Sequence, residues 1–295
     1  MSPEEHSLYE VAVDRTFKEP VLVVALDGWV DAGLGAAAAV ASLLATAYDD
    51  DVLVNFDDDY FLDQRARRPV ARIVNGVTTD LSWPRTQIRF GKDLLGADML
   101  FLVGPEPDFH WRGFVDLVVG LARTYGVRMV VGLGAFPAPA PHTRPVKLAA
   151  TAPQRSKDLV TRVGVVQGEL EVPAGVLAAL ELGFGAAGID AVTLWARVPH
   201  YVAAMPFPDA SAALVDGLAH LSGLALDSAV LRRAAESSRR QVDEVIASNP
   251  DHASMVRKLE ASLDESEGNA LGLDDLPSGD EIAAELERFL RGEEQ

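Results

Sequence analysis

Two groups of residues in this chain have the types and spacing that chemistry needs. The first is a proline-bracketed run, Pro141-His142-Thr143-Arg144-Pro145, placed beyond an apolar stretch that reads as a strand. An imidazole and a guanidinium two residues apart could bind an anion or take part in acid–base work. The second is a set of carboxylates in turns that follow apolar runs: Asp31 within Gly28-Trp29-Val30-Asp31-Ala32-Gly33, and Glu106 and Asp108 within Gly104-Pro105-Glu106-Pro107-Asp108. Carboxylates facing a His/Arg loop could serve a nucleoside-like ligand. No nucleophile is evident beside His142 and Arg144, so the favoured reading is that the prolines hold a loop that docks another subunit.

Other motifs are weaker. Gly33-x-Gly35-x-x-Ala38 follows a strand and enters a helix, and Asp57 ends the next strand where a ribose-binding acid would lie. However, six residues separate Leu26 from Gly33, so a wide turn feeding an Ala-packed helix is preferred to a dinucleotide site. Gly183-x-Gly185-x-x-Gly188 follows a helix, the reverse of the required order. Asp49–Asp51 and Asp57–Asp59 bracket a strand without EF-hand spacing and read as solvated strand ends. There is no Walker loop, no His-Glu-x-x-His and no Gly-x-Ser-x-Gly, and the six histidines are scattered. Trp29, Trp83 and Trp111 fall in or beside loops, as interface anchors or core lids do.

The elements that must position these groups follow from the hydrophobic pattern. Val21–Leu26, Met99–Val103, Val127–Leu133 and Ala191–Val198 are near-continuous aliphatic runs, the pattern of strands buried on both faces. Asp51–Phe56, Val70–Val74 before Asn75-Gly76, Gln87–Phe90 and Val160–Gln167 are further strand candidates. Leu34–Ala47, Trp111–Tyr125 and Pro173–Leu182 carry helical patterns between them. Strand and helix in alternation predict an α/β three-layer αβα fold with a mainly parallel sheet. From about Asp209 the strand signals stop, and Ala210–Leu221, Ser228–Ser248, Met255–Leu263 and Glu281–Arg291 read as helices.

Of the 295 residues, 26 are Lys or Arg and 44 are Asp or Glu, a net charge of −18. Phosphate neutralisation needs clustered cations, so neither nucleic acid nor an anionic membrane surface is an expected partner. Residues 221–295 hold 17 acidic and 8 basic residues, half the net charge, which reads as a solvated face. The absence of cysteine excludes disulfides, thiolate metal sites and a cysteine nucleophile. A polar N-terminus that is no signal peptide, and no apolar run of spanning length, predict a cytoplasmic protein.

The first strand with Gly28-Trp29-Val30-Asp31-Ala32-Gly33 resembles the opening signature of the PAC2 family, the proteasome assembly chaperone 2 family. Asp59–Pro69, Gly104–Asp108 with Trp111 and Phe114, and Pro141–Pro145 resemble its actinobacterial branch, over roughly Val11–Leu221. The resemblance implies a phosphorylase/hydrolase-like α/β fold, self-association, and relatives that hold proteasome α subunits during ring assembly. The chain ends Arg291-Gly292-Glu293-Glu294-Gln295, unlike the hydrophobic-Tyr-any-residue tail with which some members dock on the α ring.

The expectation is therefore a PAC2-like α/β domain at 10–221 and an acidic helical extension at 222–295. Its function is that of a non-enzymatic assembly-chaperone-like or interaction protein, with proteasome subunits as partners. It is expected to form a homo-oligomer, a trimer by analogy with the phosphorylase-like architecture, and to need no cofactor or metal. Gly28, Trp29, Asp31, Gly33, Glu106, Asp108, Trp111, His142 and Arg144 are the expected crevice or interface residues. The alternative is a nucleoside- or anion-binding enzyme that uses the same crevice.

Overall fold

Val21–Val24 are all within 1 % of full burial, as an aliphatic run covered on both faces requires. They lie at the centre of a computed structural model that describes residues 8–28, 30–166 and 168–268. In chain order, the first half comprises β1 (Tyr9–Val11), β2 (Val21–Asp27), α1 (Gly35–Thr46), β3 (Tyr48–Phe56), α2 (Asp58–Phe61), β4 (Val70–Val74), β5 (Val77–Ser82), β6 (Gln87–Lys92) and β7 (Asp98–Pro105). The second half comprises α3 (Trp111–Thr124), β8 (Met129–Ala138), β9 (Leu148–Thr151), α4 (Lys157–Thr161), α5 (Val176–Ala186), β10 (Asp190–Pro199), α6 (Pro208–Ser222), α7 (Ala229–Ala247) and α8 (Pro250–Gly268). The expected helix at 281–291 lies outside the described residues.

Eight strands form one sheet in the order β1-β3-β6-β7-β2-β8-β10-β9. The central four, β7, β2, β8 and β10, are mutually parallel, and antiparallel pairs extend the sheet at both sides. One apolar layer packs α1 and α6 on the sheet, with Leu231 and Val242 of α7 joining it. The other packs α3 and α5 with Phe56, Phe61 and Phe114. This is the three-layer α/β fold that the strand and helix alternation predicts. All four central strands end at one edge of the sheet, so the loops after them share that edge.

Three details differ from the sequence expectation. The run Val21–Leu26, Leu34–Ala47, Asp51–Phe56 reads as a βαβ unit, yet β3 does not sit beside β2, because β6 and β7 insert between them. The predicted strand at 160–167 is absent: its first residues belong to α4, and Val165 makes only an isolated bridge to Ala150. The edge strand is instead Leu148–Thr151, antiparallel to β10. The β-branched residues Val160, Thr161, Val163, Val165 and Val166 mimic strand composition, but edge pairing is decided by which segment reaches β10. Finally, β8 continues through Pro137 to Ala138, further than its aliphatic run.

β4 and β5 form a hairpin outside the main sheet. Asn75 and Gly76 both take positive φ (51° and 81°), the turn that matches strand twist. Every residue of both strands is exposed, with Val70 at 71 %, Ile73 at 63 % and Val77 at 62 %.

Candidate functional site

The carboxyl edge of the parallel strands carries two clusters. The first follows β2 and β7. Gly28 lies against Glu106, and a Cβ there would overlap the Glu106 side chain. Glu106 Oε2 accepts a hydrogen bond from the Val176 amide at 3.0 Å, at the start of α5. Asp108 accepts from the Asp63 amide (2.8 Å) and pairs with Arg67 (3.2 Å). Trp111 Nε1–H donates to the Pro107 carbonyl at 2.6 Å, holding the turn before α3. Trp29 lies outside the described residues.

Asp31 caps α1. Its Oδ1 accepts from the Ala36 amide (2.7 Å) and its Oδ2 from the Ala37 amide (2.9 Å). Burial pushes this carboxyl above its ordinary value, with the helix amides pulling in the opposite direction. Gly33 takes φ +65°, and a Cβ there would come within 2.7 Å of Phe207. Gly35 lets α1 approach β8, where its Cβ would be 2.7 Å from that of Ala135. The amides that a pyrophosphate would need are thus taken by the protein's own carboxylate, and the glycine space is filled by Phe207 and Ala135. Asp57, placed like a ribose-binding acid, instead caps α2 by accepting from the Asp59 and Tyr60 amides.

The second cluster follows β8. His142 is 3 % exposed. Its amide donates to the Tyr201 hydroxyl at 2.8 Å, and its Nδ1 lies 2.7 Å from the same oxygen. Burial raises the Tyr201 hydroxyl to about 12, so the phenol keeps its proton and can donate to Nδ1. That assigns the ring proton to Nε2, which donates to Asp243 Oδ1 of α7 at 3.0 Å. Arg144 pairs with Glu260 (3.3 Å) and Asp264 (3.0 Å) of α8, and Thr143 donates to Glu260.

The structure therefore brings Gly28 to Glu106, and Asp31 and Gly33 to the start of α1, while His142 and Arg144 turn to α7 and α8. The helices after residue 221 are more than a solvated face: Asp243 of α7 and Glu260 and Asp264 of α8 strap the proline loop. Sequence reading missed these acids, because nothing in a helical acidic pattern points to a histidine a hundred residues earlier. Tyr201 lies two residues beyond Pro199, which ends β10, a position that signals a carboxyl-edge residue. Asp27 is a further group at this edge, its carboxyl raised by burial and opposed by the Arg67 charge. Among the described residues, no group of three or more His, Asp or Glu is arranged to hold a metal. No helix among them is long and apolar enough to cross a membrane.

The PAC2 family model matches residues 25–246, three quarters of the chain. The chain belongs to the PAC2 family. A Corynebacterium glutamicum protein of unknown function is 30 % identical to this PAC2 chain, with a TM-score of 0.83 over 90 % of this chain and 99 % of that one. A Mycobacterium tuberculosis protein of unknown function is 32 % identical, with a TM-score of 0.81 over 92 % and 94 %. A proteasome-assembly chaperone homologue, also from Mycobacterium tuberculosis, is 36 % identical, with a TM-score of 0.73 over 80 % and 99 %. No curated protein matches this PAC2 chain. The actinobacterial resemblance of the loop motifs agrees with these three neighbours.

Proposed function

We propose that this PAC2 protein is a non-enzymatic, chaperone-like binding protein that acts on proteasome subunits during assembly. The observation that carries this reading is the similarity to the proteasome-assembly chaperone homologue, 36 % identical over nearly all of that chain. The use made of the polar edge groups also supports it. Asp31 caps a helix, Glu106 holds α5, Asp108 pairs with Arg67, and His142 and Arg144 tie down α7 and α8. Groups committed to positioning loops are those of a shaped surface.

The working form in this reading is a cytoplasmic homo-oligomer, with three copies by analogy with phosphorylase-like folds. The β4–β5 hairpin is the surface assigned to self-association. A two-stranded hairpin is marginal by itself in water, and this one exposes Val70, Ile73, Val77 and Leu81. Its own charges, Arg72 and Asp80, lie opposite each other, and Arg65, Arg68 and Arg85 flank it in a chain of net charge −18, so the flanks suit an acidic second copy. The domain division in this reading places the acidic helices after residue 221 as an extension that braces the proline loop.

Co-purification with isolated 20S α subunits tests the function, and light scattering tests the assembly. Retention of α subunits by the tagged full-length chain is the expected result. A chain that is monomeric and retains none would overturn the reading.

A further inference from the structure

We propose that residues 168–174 of one copy add as a third strand to the β4 edge of the β4–β5 hairpin of a second copy. This inference rests on the self-association assigned above to the hairpin, and it names the segment that receives it. Every residue from 168 to 174 is exposed, and none makes a hydrogen bond or an ion pair among the described residues. Yet Glu169-Leu170-Glu171-Val172 alternates acid with aliphatic residue, the period of a half-buried strand. Leu170 is 58 % exposed and Val172 59 %. Pro173 ends the run ahead of α5. A strand pattern that pairs with nothing in its own chain is a local rule broken, and such breaks mark functional surface.

The hairpin supplies the complementary half. It is a separate two-stranded sheet, so the outer edge of β4 has no strand beside it. Unused edges are blunted by proline, charge or a covering element. Val70-Ala71-Arg72-Ile73-Val74 holds no proline and a single charge, and all five residues are exposed. Three strands with an apolar face are stable where two are marginal. Along β4, Ala71 and Ile73 share one face, with Leu81 opposite Ala71, and Arg72 points to the other. A strand added at this edge sets Leu170 and Val172 on the Ala71–Ile73 face, and Glu169 and Glu171 on the Arg72 face. Arg72 then has an acid on the added strand as well as Asp80 on β5. A slip of one residue would turn both acids onto the apolar face, so the pattern specifies the pairing. Main-chain hydrogen bonds provide the affinity and the alternating side chains the choice of partner.

Both segments leave the same edge of the main sheet. Arg67, ahead of β4, donates to the Glu106 carbonyl at 3.4 Å, and the Val176 amide, just past the segment, donates to Glu106 Oε2 at 3.0 Å. Within one chain they nevertheless stay apart: the hairpin is exposed throughout, and no backbone hydrogen bond joins it to 168–174. Pairing between two different segments is head-to-tail, which closes a ring and not a two-fold dimer. That agrees with the three copies of the proposed function.

The chain has no cysteine, so single introduced thiols report the contact. Full-length Arg72→Cys and Glu171→Cys chains are co-expressed with different tags and treated with a short bismaleimide. A covalent dimer carrying both tags, absent from either variant alone, is expected. Charge reversal gives a second reading that needs no thiol. Arg72→Glu should weaken self-association about fivefold by light scattering, because a cross-strand ion pair becomes a like-charge pair, and adding Glu171→Arg should recover the loss. Cross-linking of Arg72→Cys by itself would show hairpin pairing with hairpin and overturn the proposal. An assembled protein that yields no mixed dimer and no charge-reversal recovery overturns it while leaving self-association standing. A monomeric chain overturns both.

Discussion

His142 and Asp243 are joined by a 3.0 Å hydrogen bond between Nε2 and Oδ1, linking the loop after β8 to α7 across 101 residues of sequence. The other side of the ring meets Tyr201, so one buried imidazole connects the segment after β10, the proline loop and α7. Removing the Tyr201 hydroxyl leaves both the His142 amide and Nδ1 without their acceptor and donor. Tyr201→Phe is expected to lose about 1–3 kcal/mol in urea unfolding. An unchanged midpoint would show that the loop is held by other contacts.

Arg144 is partly exposed, and so are its partners Glu260 and Asp264. Surface ion pairs contribute about 1 kcal/mol or less and weaken with salt. Arg144→Ala should therefore barely move global stability while speeding protease cleavage within α8, an effect that fades as salt rises. Equal cleavage of variant and wild type at low salt would contradict the strap.

Asp31 takes two of the first amides of α1. Asp31→Ala is expected to cost about 0.5–2 kcal/mol, the usual range for loss of an N-terminal cap. Asp31→Ser, which keeps an acceptor, should recover part of that loss in the same thermal unfolding measurement.

Glu181 of α5 accepts from Thr151 Oγ1 at 2.8 Å, and burial raises its carboxyl above the ordinary 4.5. The folded chain therefore keeps a proton that the unfolded chain has released. The resulting stability is fully present below the ordinary value and is lost as pH rises through the raised one. Glu181→Gln keeps the acceptor and never ionises. Its melting temperature should match wild type near about pH 4 and exceed it near about pH 8. A constant difference across that window would assign the shift elsewhere.

The exposed hairpin supplies a separable test of assembly. Paired Ile73→Glu and Val77→Glu changes lie in strands with no burial to lose. Light scattering should show a smaller species while the melting temperature of the protomer stays within about 0.5 kcal/mol equivalent of wild type. An unchanged mass would remove the hairpin from the interface.

The order of elements and the buried strands were legible without coordinates. Val21–Leu26, Met99–Val103 and Ala191–Val198 can be covered on both faces only within a layered α/β fold, and the loop motifs sufficed to mark the family. The 160–167 misreading shows the limit, because local composition does not say which segment reaches the edge of β10. The site was legible only as residue types. Which carboxylate caps a helix, as Asp31 does, and which one meets a histidine, as Asp243 does, depends on long-range packing. Hydrogen bonds act over about 3 Å, whereas sequence patterns report periodicity along the chain. The sequence alone thus determined the strand core, the family and the charge, while the tertiary structure decided that three individual acids, Asp243, Glu260 and Asp264, brace the proline loop.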